Sequence, residues 1–70
     1  MNTTKNNRLP HEYKAGDKVR NIYTGDINTV KRSYWQWYAG GNTSDYTVLF
    51  EPTPEQPTGW NKSINLEAVN

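Results

Sequence analysis

The chain has no cysteine. No disulfide can staple the fold and no thiolate can hold a metal, which fits a reducing compartment such as the cytoplasm. It has a single histidine, His11, set beside Glu12 near the N-terminus. It has no apolar run near the roughly 20 residues of a membrane span. The opening stretch MNTTKNNRLP has no apolar segment of the secretory kind. A cytoplasmic protein without a membrane partner is therefore expected. The Asn-x-Ser/Thr matches at Asn2, Asn42 and Asn61 carry no glycosylation meaning there. Strong charge is also lacking: the formal net charge of +1 selects no partner by itself.

Catalytic chemistry is equally sparse. Ser33, Ser44 and Ser63 have no evident base to activate them, since His11 lies in a polar, non-periodic segment. No His, Cys or carboxylate cluster has metal-ligand spacing. Gly40-Gly41 lacks the lysine and helix of a phosphate-binding loop and reads as a hairpin tip. Asp17 and Asp26 flank turns, where aspartate is favoured for local hydrogen bonds. The PEQP run, 54–57, reads as a stiff loop. The expectation is a binding protein with no catalytic residue, metal or cofactor.

What the chain does have is aromatic residues, 13% of the total within a mean hydropathy of −1.04. That share argues against general disorder. Seventy residues make one domain, burying only about 60% of the surface the unfolded chain exposes. Residues 1–12 read as a flexible arm and 13–70 as the folded domain.

Turn signals and β-formers dominate from Tyr13 onward. KAGD, 14–17, and TGD, 24–26, are turns around a strand at about 18–23. INTVKRSYWQWYA, 27–39, reads as one long strand with room for a bend or bulge. GGNTSD, 40–45, is a flexible hairpin loop. YTVLFE, 46–51, alternates Tyr46, Val48 and Phe50 against Thr47, Leu49 and Glu51. A proline-rich loop follows, then a short strand at 60–64, and NLEAV, 65–69, reads as one helical turn. Val19, Ile22, Val30, Val48, Phe50, Leu66 and Val69 are the expected core. Short antiparallel strands with Gly- and Pro-rich turns indicate an all-β fold, and at this length a five-stranded barrel is the most economical way to remove exposed edges.

Gly16, Asp17, Val19 and Arg20, then Gly25, Thr29 and Val30, then Tyr46, Val48 and Phe50, and finally Trp60, Leu66, Glu67 and Val69 form a pattern. It resembles the SH3-like small barrels of the KOW and Tudor type over about residues 15–69. Asn28 stands where that family often has glycine. The resemblance implies an SH3-like barrel of about five antiparallel strands. It implies no single function, because such barrels bind RNA, DNA, methylated peptides or other proteins.

The densest signal is YWQWY, 34–38, preceded by Lys31 and Arg32. In a strand, Trp35 and Trp37 share one face, and Tyr34, Gln36 and Tyr38 share the other. Either set can complete the small core. Gln36 suggests that the tyrosine face is the wetter, which leaves the tryptophans over the barrel or its open end, near Trp60. Charge is divided as well. Residues 1–32 carry seven basic and three acidic side chains, net +4, and residues 33–70 carry one basic and four acidic, net −3. That division reads as ordinary solvated scatter or as a basic face for phosphate. Lys18, Arg20, Lys31 and Arg32 are the candidate phosphate contacts, and Tyr34, Trp35, Trp37, Tyr38 and Trp60 the candidate stacking residues.

The leading expectation is a small nucleic-acid-binding module for DNA or RNA. The alternative is a protein-interaction or accessory domain using the same aromatic surface, of the kind a bacterial phage or mobile element encodes. An aromatic cage for a cation is a third reading. Oligomeric state is left open.

Overall fold

The structure, a computed structural model, describes residues 9–37 and 44–69. Five strands run in chain order: β1 (Lys18–Asn21), β2 (Ile27–Trp37), β3 (Ser44–Phe50), β4 (Trp60–Lys62) and β5 (Leu66–Ala68). They form one antiparallel sheet in the order β4-β3-β2-β1-β5, with one 3-10 turn among the described residues, at Ser63–Asn65. The all-β, five-stranded class is as expected. The end of the long strand anticipated at 38–39, and most of the anticipated hairpin loop, lie outside the described residues.

Two glycines set the early turns. Gly16 and Gly25 have φ of +93° and +83°, where side chains with a Cβ are disfavoured. At the second turn the Asn21 side chain is the organiser. Its Oδ1 accepts the backbone N–H of Tyr23 at 2.8 Å and of Thr24 at 3.1 Å, while the Asn21 N–H donates to the Asp26 carbonyl. Nothing lies within 4 Å of a Cβ built at Gly25. Gly25→Ala should therefore cost only the left-handed conformation, about 1–2 kcal/mol, read as a lowered urea midpoint with an unchanged slope.

The core is Tyr13, Val19, Val30, Val48 and Leu66, with Tyr46 and Phe50 packed against it and Ile22 buried beside it. Val69 is only half-buried, so its expected core role passes to Tyr13. Tyr13 sits ahead of β1 and ties distant parts of the chain together. Its hydroxyl donates to the Leu66 carbonyl at 3.3 Å, and its own carbonyl accepts from Ser33 Oγ at 2.6 Å. The preceding residues follow it onto the domain: the His11 N–H donates to Ser63 Oγ at 2.9 Å, and the His11 ring meets the Tyr13 ring edge-on. Of the arm anticipated at 1–12, residues 1–8 lie outside the described residues.

The helical turn expected at 65–69 falls instead at Ser63–Asn65, and Leu66–Ala68 form β5. The Asp45 carboxylate explains the shift. Its oxygens accept from Ser63 Oγ and from the Ile64 N–H, the latter at 3.0 Å, and so hold the tight turn just after β4. A further turn at 65–69 would gain little cooperative hydrogen bonding. Pairing with β1 satisfies the backbone of 66–68 in a ladder.

The expected barrel closure is not found: the sheet curls but does not close. β4 and β5 are the two edges, yet only the three residues of the 3-10 turn join them. A flat five-stranded sheet holds its edges about 19 Å apart, and four extended residue steps span about 14 Å at most. The sheet must therefore curl. Both edge strands are three residues long, and no ladder joins one to the other. Side-chain and backbone bonds from His11, Tyr13 and Ser63 bridge that side of the sheet instead.

Candidate functional site

One irregularity in β2 decides which side chains face outward. The register with β3 shifts between Val30, opposite Phe50, and Arg32, opposite Leu49. Two residues of β2 thus oppose one step of β3, a β-bulge at Lys31. Val30 is fully buried, whereas Lys31 and Arg32 are both exposed. Beyond the bulge the alternation is inverted relative to simple counting from Val30. Ser33 shares the core face with its partner Val48, and Arg32, Tyr34 and Gln36 turn outward.

The outer face of β2, β3 and β4 can be read row by row. Arg32, Leu49 and Trp60 lie side by side across three strands, and Tyr34, Thr47 and Lys62 form the next row, with Thr47 buried between the two longer side chains. The Arg32 guanidinium carbon is 5.4 Å from the Tyr34 ring centroid, within cation–π range. Tyr34 is 40% exposed and Trp60 55%. An open groove of about 170 Å³ adjoins the first row, lined by Lys31, Leu49, Phe50, Pro52, Pro57, Thr58 and Gly59. Lys31 and Arg32 form no ion pair with a described residue.

Trp35 and Trp37 take the other side. Trp35 is cross-strand from Tyr46, with ring centroids 5.1 Å apart and edge-to-face, and Trp37 meets Trp35 at 5.8 Å in the same manner. They extend the core face past the end of the core, so Trp35 is 41% and Trp37 75% exposed. The expectation that tyrosines mark the wetter face does not hold, because Trp37 is more exposed than Tyr34. The expected neighbourhood of the tryptophans with Trp60 does not arise either: Trp60 pairs with Leu49 and belongs to the opposite face. Tyr38 lies outside the described residues.

The basic residues of β1 are placed differently. Lys18 and Arg20 flank the buried Val19 and point away from the core, opposite Thr29 and Ile27 of β2. Arg20 is engaged with Glu67 of β5, Nη1 to Oε2 at 3.1 Å. Both side chains of that pair are well exposed, so it contributes about 0–1 kcal/mol, but it partly neutralises Arg20 as a phosphate contact. Lys18 has no such partner among the described residues and lies beside Thr29, two positions before the bulge.

Among the described residues no three His, Cys, Asp or Glu side chains gather as a metal site would need. No helix among them is long and apolar enough to cross a membrane. Two features escaped the sequence reading: the groove under the proline loop, and the buried Asp45 that fixes the end of the hairpin against the 3-10 turn. Asp45 carries a weak signal in hindsight, as the only acidic residue between Asp26 and Glu51. Comparison with protein families, with curated proteins and with solved structures finds no match to this chain.

Proposed function

We propose that this chain is a small, non-catalytic, cytoplasmic module of SH3-like type that binds nucleic acid through the outer face of β2, β3 and β4. The carrying observation is the Arg32 guanidinium stacked on Tyr34, next to Lys31 and in line with Leu49 and Trp60. Aromatic faces stack bases at about 1–3 kcal/mol each, and neighbouring cations hold the phosphates. Five antiparallel strands and the curl of the sheet support the SH3-like reading. The test is intrinsic tryptophan emission during titration with single-stranded DNA, RNA and duplex DNA at low and high salt. Quenching that weakens as salt rises is the expected result; no change with any of the three at low salt contradicts the proposal.

A second reading has its own observation. Trp37 and Trp35 project on the opposite side of the hairpin, and exposed tryptophan is a common protein-interface anchor. On that reading the chain is a protein-interaction or accessory domain, in keeping with a phage or mobile-element protein. Dilution-dependent mass by sedimentation, set against the Trp37→Ala variant, separates self-association from monomeric binding.

A further inference from the structure

Resting on the nucleic-acid reading above, we propose that the ligand is a single strand. One base lies on Trp60, and a neighbouring base enters the groove between Leu49 and the 52–58 loop, with Lys31 and Arg32 on the phosphates beside it. The groove and Trp60 are neighbours. Leu49 lines the groove and is cross-strand from Trp60, while Gly59 lines it and immediately precedes Trp60. Lys31 stands at the groove and Arg32 begins the row that ends at Trp60, so these two cations sit on the β2 side of the apolar surface, while Lys62 of β4 lies one row on. Glu51 and Glu55 are exposed on the loop side, which directs the phosphates along β2 and away from the loop.

Two properties favour a single strand over a duplex. A duplex hides its base faces in the stack and shows only base edges in its grooves, so exposed rings and an apolar slot would find no face to stack on. Duplex binding without base stacking must come from phosphate neutralisation by many cations, and this chain has a net charge of +1 with Arg20 already paired to Glu67. Splayed bases of a single strand can use both the ring and the slot, with Arg planes adding further stacking. Leu49, Phe50, Pro52 and Pro57 give the slot apolar walls suited to the flat face of a base. The same chemistry is offered by DNA and RNA, since nothing in this surface requires a 2′-hydroxyl.

The experiment compares fluorescence anisotropy of labelled oligothymidine, labelled oligouridine and a labelled blunt duplex of matched length, against wild type, Trp60→Ala, Trp60→Phe and Trp37→Ala. Both single strands should bind more tightly than the duplex. Trp60→Ala should weaken them by roughly five- to a hundredfold, the range expected for one lost stacking contact. Trp60→Phe should recover most of that loss, which a merely structural role at this exposed position would not explain. A preference for one single strand over the other identifies the source and leaves the proposal standing. A duplex bound as tightly as the single strands, or a larger loss for Trp37→Ala than for Trp60→Ala, overturns this inference and leaves nucleic-acid binding intact. Failure of all three ligands to bind wild type overturns both.

Discussion

Alanine at Asp45 should remove a large part of the domain's stability, about 3–5 kcal/mol. Asp45 is 2% exposed, and its carboxylate accepts hydrogen bonds from Ser63 Oγ, from the Ile64 N–H and from its neighbour the Tyr46 N–H. Ser63 Oγ in turn accepts from the His11 N–H. One side chain thereby joins the start of β3, the 3-10 turn and the segment ahead of Tyr13. Removing it strands a buried hydroxyl and a backbone N–H, each costing about 1–3 kcal/mol. A domain of this length has roughly 4–10 kcal/mol in total. The expected loss of about 3–5 kcal/mol is thus a large part of the whole. Asp45→Asn keeps one acceptor oxygen and should lose about half as much. Urea unfolding followed by tryptophan emission reads both, and an Asp45→Ala variant within about 1 kcal/mol of wild type would mean that the network does not hold the turn.

Alanine at both Lys31 and Arg32 should weaken binding to oligothymidine by about a hundredfold at low salt, taking charge-assisted contacts at roughly 1.5 kcal/mol each. The two cations together should contribute about −1.4 to the slope of log affinity against log salt on a single strand. Wild-type affinity should therefore fall at least roughly sevenfold for a fourfold rise in salt, and the double variant should lose most of that dependence. Both side chains are exposed at a bulge, so stability should change by no more than about 0.5 kcal/mol. Unchanged affinity and unchanged slope would remove these residues from the site.

The parts of the fold legible in the sequence are those set by local alternation and turn chemistry. Val19, Val30 and Val48 declare their faces through their neighbours, and Gly16 and Gly25 mark turns that only they can make at low cost. Leu66 was legible as core but not as strand, because β5 exists through its pairing with β1, some 47 residues away in the Arg20–Glu67 contact. Barrel closure was not legible, since it depends on the gap between two three-residue edges. The candidate site was half legible. The composition of VKRSYWQWY announced cations beside aromatics. Which set turns outward depends on the bulge at Lys31, which inverts every later position relative to Val30, and no residue marks where in the strand it falls. The bulge places Arg32 and Tyr34, rather than Trp35 and Trp37, on the face of Trp60.

The most direct test of the central claim, that the outer face of β2, β3 and β4 is the nucleic-acid surface, is amide and indole NMR mapping with isotope-labelled protein and unlabelled oligothymidine. The expected perturbations cluster at Lys31, Arg32, Tyr34, Leu49, Thr58, Gly59 and the Trp60 indole, with Trp35, Trp37 and Tyr46 little changed. Perturbations centred on the Trp35, Trp37 and Tyr46 side, or none at all at saturating ligand, would contradict the account.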